Sequence, residues 1–94
     1  MPKFAIIARD RADAGTLRAD TRPRHLDHLR SIKERITVAG PIDDESGQPV
    51  GSIIIAEFDD LAAARAYASA DPYAGAGLFA SVTVEPWRQV LPHA

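Results

Sequence analysis

Gly51-Ser52-Ile53-Ile54-Ile55-Ala56-Glu57-Phe58 is the stretch on which the fold turns. Branched apolar side chains suit a pleated backbone, and this short run is bounded by Gly51 before it and Asp59-Asp60 after it, the punctuation of a β-strand. Both parities are apolar, so both faces of the strand need cover. Upstream, Asp43 to Pro49 is polar with Ser46-Gly47 at its centre, a turn. Before that turn, Ile36-Thr37-Val38-Ala39 is short and β-branched, the hairpin partner of the isoleucine strand. Downstream, Asp59 and Asp60 stand where helix N-caps are wanted, and the Ala-rich segment Leu61 to Ala70 has high helix propensity. Asp71-Pro72 then restarts the chain with a cap and a first-turn proline, predicting a second short helix within Asp71 to Leu78. Phe79-Ala80-Ser81-Val82-Thr83-Val84-Glu85 closes the pattern as a last strand.

Working back to the N-terminus, Lys3-Phe4-Ala5-Ile6-Ile7-Ala8-Arg9 is again apolar on both parities, a centrally placed strand. Asp10 to Asp20 has no sustained period and reads as a loop holding at most a helical turn. Thr21-Arg22-Pro23 is a helix-start signal, Leu26, Leu29, Ile32 and Ile36 recur at helical spacing, and Gly40-Pro41 is a hard stop, so a helix is expected from about Arg22 to about Arg35. The order β-α-β-β-α-β is the ferredoxin-like α+β motif, two helices over one face of a four-stranded antiparallel sheet. Helices shield only one face. The apolar residues of the other parity therefore predict a homodimer, sheet against sheet, as a dimeric α+β barrel.

Ninety-four residues make a single domain, residues 1–94, and at that size added burial through self-association is attractive. The formal net charge of -2 gives no basic field for nucleic acid. Arg22, Arg24, Arg30, Lys33 and Arg35 crowd one segment, but Asp20, Asp27 and Glu34 are interleaved with them, a solvated helix face. With no cysteine, disulfides, zinc-thiolate sites, iron-sulfur clusters and thiol nucleophiles are excluded. The first apolar run is too short for a signal peptide and nothing approaches a membrane span, so cytoplasmic residence is expected, with Pro92-His93-Ala94 as a frayed tail.

Few residues can carry chemistry. His25 projects about 35° from the mean direction of the apolar stripe on its helix, while His28 lies about 95° away and is expected on the surface. A neutral imidazole facing the sheet can act as a general base, and it can equally be a core histidine satisfied by a backbone carbonyl. Asp71 before a proline is a routine N-cap, yet its junction can lie near His25, where a carboxylate would fix the imidazole tautomer. No HxH or HExxH spacing points to a metal. Gly75-Ala76-Gly77 lacks the spacing of a phosphate loop and reads as a tight turn, Ser52 has no nucleophile-elbow pattern, and Tyr67 and Trp87 read as packing or interface residues.

Arg22-Pro23-x-His25-Leu26, Ala39-Gly40-Pro41, Gly51-Ser52 with Ile55-Ala56-Glu57-Phe58, Asp71-Pro72-Tyr73 with Ala76-Gly77-Leu78, and Val82-x-Val84-x-Pro86-Trp87 together resemble the YciI-like (YCII-related) family across almost the whole chain. The resemblance implies a dimeric α+β barrel of the kind shared with muconolactone isomerase-like enzymes, and a pocket whose histidine and aspartate match His25 and Asp71. A dehydrochlorinase acting on a chlorinated hydroxyquinol belongs to the family, which implies proton transfer on a small cyclic or aromatic molecule without an organic cofactor. On that reading His25 moves the proton, Asp71 orients it, and Arg22, Arg24 or Tyr73 helps hold a small anionic ligand in a cofactor-independent lyase or isomerase. The competing expectation is a non-catalytic ligand-binding or accessory domain in which the pair only shapes the pocket.

Overall fold

The computed structural model describes residues 1–92, so His93 and Ala94 of the expected tail lie outside the described residues. Four strands, β1 (Lys3–Asp10), β2 (Ile36–Asp43), β3 (Pro49–Glu57) and β4 (Phe79–Trp87), form one antiparallel sheet in the order β2-β3-β1-β4. Helix α1 (Leu17–Arg30) joins β1 to β2, and α2 (Leu61–Ser69) with the single turn α3 (Pro72–Gly75) joins β3 to β4. This is the ferredoxin-like α+β order, with the two most apolar strands, β1 and β3, at the centre. Among the described residues no helix is long and apolar enough to cross a membrane.

One parity of the central strands forms the core. Phe4, Ile6, Ile54, Ala56 and Phe58 pack with Ala64 and Ala68 of α2, and Leu29 and Ile32 of the α1 segment close over them. Ala56 and Ala64 are fully buried, so the methyl side chains of α2 let the helix lie close on the sheet. Asp60 caps α2 by accepting from the Ala63 amide at 2.8 Å. The other parity stays outside. Ile53 is 37% exposed and Val38 55%, with Ile7, Ile42 and Ile55 half-buried beside them.

Helix α1 departs from its expected bounds. It begins at Leu17 rather than Arg22 and ends at Arg30, with a separate 3-10 turn at Lys33–Arg35. Pro23 therefore sits inside the helix instead of in its first turn, where its missing N–H removes a bond to the Ala19 carbonyl. Tertiary contacts outweigh that loss: Arg18 reaches back to Asp10, and Thr21 is buried one turn later. Strand β2 also outruns expectation, passing through Gly40-Pro41 to Asp43. As an edge strand it can place Pro41 opposite Ser52 without breaking a central ladder.

The sheet is tightest at Gly51, between Arg9 of β1 and Ile42 of β2. A Cβ there would come within 2.5 Å of the Ala8 carbonyl oxygen, whereas one at Gly40 meets nothing within 4 Å. Gly51→Ala is expected to lower unfolding free energy by about 1–3 kcal/mol in urea denaturation, and Gly40→Ala by less than about 0.5 kcal/mol.

Candidate functional site

Asp71 terminates α2 and opens α3, and its side chain is spoken for twice. Oδ1 accepts from the Tyr73 amide at 2.9 Å, the expected cap. Both carboxylate oxygens also face His25 Nδ1, at 2.9 and 3.0 Å. The two readings weighed from sequence are thus one arrangement. Because an ionised carboxylate only accepts, the proton of the imidazole stands on Nδ1, and the Nε2 lone pair is left without a protein partner among the described residues. His25 is 7% exposed and Asp71 4%. Nε2 opens onto a cavity of about 430 Å³ between α1 and the β2–β3 side of the sheet. Leu26 and Leu29 form its helix wall, and Pro41 and Ile54 its sheet wall.

Tyr73 holds the imidazole flat. Its ring stacks on His25 at 4.1 Å between centroids, with 20° between the planes. Arg18 places its guanidinium carbon 4.6 Å from the same ring. Arg18 and His25 lie two turns apart on α1, about 11 Å of rise, and the phenol fills the gap between them. Arg18 is itself fixed: Nε and Nη2 donate to the two Asp10 oxygens at 2.7 Å each, and Nη2 also donates to Ser52 Oγ at 3.1 Å. Burial opposes the charge on Arg18, but the bonds to Asp10 and its opposite charge hold the guanidinium above its ordinary pKa. Burial pushes the Tyr73 phenol up, and the charges of Arg18 and Arg22 pull it down without cancelling that effect.

Of the residues singled out from sequence, the structure brings His25, Asp71, Tyr73 and Arg22 together. Arg22 is exposed on the cavity wall and pairs with no carboxylate among the described residues. Arg24 is exposed and is not part of that wall. Arg18 and Asp10 join the site from the segment expected to be a loop, and Ser52, which the sequence shows only to lack a nucleophile pattern, joins them as the acceptor for Arg18 Nη2. The spacing Arg18, Arg22, His25 is a helical face, and a helix begun at Leu17 would have displayed it. His28 is a correction, since it is half-buried rather than on the surface: Nε2 donates to the Tyr67 carbonyl at 2.9 Å, the Tyr67 hydroxyl donates to the His28 carbonyl at 2.9 Å, and the rings stack at 4.0 Å. Gly75-Ala76-Gly77 is the expected tight turn, closed by Leu78 N–H to Tyr73 and Gly77 N–H to Ala74 with φ 78 at Gly77, a Schellman end. No group of three or more His, Asp or Glu side chains stands close enough among the described residues to hold a metal.

A profile of the YCII-related domain matches residues 2–88. The chain belongs to the YCII-related family. Within that family it is 40% identical to protein YciI of Escherichia coli over 94% of this chain and 98% of that protein. It is 37% identical, with the same coverage, to an uncharacterized protein of Haemophilus influenzae. Among solved structures it is similar to the 5-chloro-2-hydroxyhydroquinone dehydrochlorinase of Burkholderia phenoliruptrix in complex with 2,5-dihydroxybenzoquinone, with TM-score 0.85 and 29% identity over 98% of this chain and 99% of that one. Of the family segments recognised in the sequence, His25 and Asp71-Pro72-Tyr73 form the centre of this site and Ser52 and Ala39-Gly40-Pro41 its sheet side, whereas Val82 to Trp87 lies outside it.

Tyr67 and Tyr73 are the two tyrosines of the chain. Burial raises both above the ordinary phenol value of 10.0, with Asp71 adding to the effect at Tyr67. The folded state therefore keeps protons that the unfolded chain releases, so this contribution to stability is complete below pH about 10 and is lost as pH rises beyond it. A spectrophotometric titration is expected to show no phenolate until past pH 10, with unfolding free energy falling over the same range.

Proposed function

We propose that this protein is a cofactor-independent enzyme of lyase or isomerase type that transfers a proton on a small cyclic or aromatic molecule, with His25 Nε2 as the base. The observation that carries the reading is the free Nε2 of a buried imidazole whose Nδ1–H is held by Asp71. A base needs a lone pair aimed at substrate, a fixed tautomer and a counter-charge for the imidazolium it becomes. Nε2 supplies the first and Asp71 the other two. The cavity supports the same conclusion, because about 430 Å³ admits one substituted ring against apolar walls. The dehydrochlorinase similar in structure supports the lyase form. His25 would take a proton from an acidic O–H or C–H, the freed electron pair would enter the ring, and a leaving group such as chloride would depart with its bonding electrons. In the isomerase form the imidazolium returns the proton to a different atom. Tyr73 keeps the ring plane in register, and Arg22 helps hold the ligand.

Offered 5-chloro-2-hydroxyhydroquinone and ring-substituted relatives, the wild-type protein is expected to release chloride or shift the ring absorbance. His25→Gln is expected to slow this by about 10²–10⁴-fold, with circular dichroism unchanged. Equal rates in the two proteins would remove His25 from the role of base.

We infer further that the working unit is a homodimer with the outer sheet faces stacked. Ile7, Ile53, Ile55, Val38 and Ile42 form an apolar patch on the sheet side away from the helices, which a second copy would cover. Light scattering of the wild-type protein is expected to give twice the chain mass of 10.1 kDa, and Ile55→Glu to give the single-chain mass. A monomeric wild type at micromolar concentration sinks this arrangement.

A further inference from the structure

Helices α1 and α2 meet through their last turns, and each leaves there a carbonyl that its own chain does not claim. In a continuing helix the Ile32 amide would bond the His28 carbonyl, and the Asp71 amide the Tyr67 carbonyl. Ile32 turns instead to Leu29 at 3.1 Å, and Asp71 to Ala68 at 3.3 Å. The two freed carbonyls are taken up across the seam. His28 Nε2 donates to the Tyr67 carbonyl and the Tyr67 hydroxyl to the His28 carbonyl, at 2.9 Å each, and Ser31 Oγ donates to the His28 carbonyl as well. A carbonyl only accepts, so the His28 proton stands on Nε2, the opposite tautomer to that of His25. Burial, and then the charge of Asp71, push the Tyr67 phenol up, so it remains a donor at neutral pH. Tyr67 is seated on the core by Phe58, 5.3 Å away between ring centroids. Among the described residues no other hydrogen bond joins α1 to α2.

We propose that His28 and Tyr67 are positioning residues for the His25–Asp71 pair, each capping the other's helix so that α2 stops where the Asp71 carboxylate faces His25 Nδ1. Without the His28 imidazole, the Tyr67 carbonyl is open to the Asp71 amide, and one more residue joins α2. Asp71 then lies in that helix instead of ahead of α3, and its carboxylate leaves the Tyr73 amide and the imidazole that it holds in the native fold. The two ties are in register, because His28 follows His25 by about one turn of α1 and Tyr67 precedes Asp71 by about one turn of chain. Neither His28 nor Tyr67 lines the cavity, so both act through Asp71 and not on a ligand. The inference rests on the proton-transfer reading for its effect on rate, whereas its spectroscopic test needs no turnover.

His28→Phe keeps a ring for the stack and removes the donor, whereas His28→Gln keeps an N–H of similar reach. Proton NMR of nitrogen-15-labelled protein reads the site directly, since an imidazole N–H bonded to a carboxylate resonates far downfield. The wild type and His28→Gln are expected to show the His25 Nδ1 proton. His28→Phe, folded by circular dichroism, is expected to lose it or to exchange it with water about tenfold faster or more. On 5-chloro-2-hydroxyhydroquinone, His28→Phe is expected to lower kcat about tenfold or more with KM kept within about twofold, and His28→Gln to restore kcat. Should His28→Phe not fold, Tyr67→Phe, which removes only the hydroxyl, carries the same measurements and the same expected direction. A wild-type spectrum without the His25 proton, a donor-deleted variant that keeps the proton unchanged, a Gln variant no better than Phe, or a change confined to KM overturns the assignment. A wild-type protein that shows the proton, loses it in His28→Phe and turns nothing over would sink the proton-transfer reading and leave the positioning role standing.

Discussion

The hydrogen bond between His25 and Asp71 is the constraint around which the helical layer is arranged. Burying a carboxylate is costly unless its oxygens are satisfied, and Asp71, 4% exposed, is satisfied by the Tyr73 amide and by the imidazole. The first bond starts α3 and the second docks α1. One side chain thereby connects the helix after β1 to the junction before β4, across 46 residues of sequence. An apolar replacement of either partner would leave a buried polar atom of the other short of this bond, which costs more than the bond contributes when made.

A second tie lies one turn further along α1. His28 and Tyr67 exchange hydrogen bonds in both directions through side chain and carbonyl while their rings stack. Together the two histidine–tyrosine stacks fasten α1 to the α2–α3 side of the helical layer. The opposite flank of α1, toward β2 and β3, is where the cavity opens. The site thus has a rigid wall carrying Tyr73 and Asp71, and an open wall carrying Pro41 and Ile54.

Much of this was legible from residue patterns. The central strands announce themselves through Ile6-Ile7 and Ile53-Ile54-Ile55, and their double-sided apolarity correctly places them inside the sheet order. Asp60 and Asp71 cap helices as their positions require. The start of α1 was not legible, since Arg18 is held by side chains of β1 and β3, Asp10 and Ser52, and its segment carries no local apolar period, while Pro23 is a misleading start signal. A helix start placed at Arg22 hides Arg18 and its partner Asp10, and with them the part that Ser52 plays as an acceptor. Asp71 illustrates a different limit: cap and imidazole partner are not exclusive, and a residue with two acceptor oxygens can serve both, which no local pattern reveals.

The placement of Pro41 and the β2–β3 hairpin has a consequence for how such a protein diverges. His25, Asp71 and Tyr73 sit on the buried α1–α3 seam, while the facing wall combines buried Ile54 of β3 with exposed Pro41 of the edge strand and Gln48 of its turn. Changes in the edge strand or in Leu26 and Leu29 reshape the chamber without touching His25, Asp71 or Tyr73. On the proton-transfer function proposed above, the residues that shape the chamber and the imidazole that acts in it stand on separate parts of the scaffold, so the first can change while the second is kept.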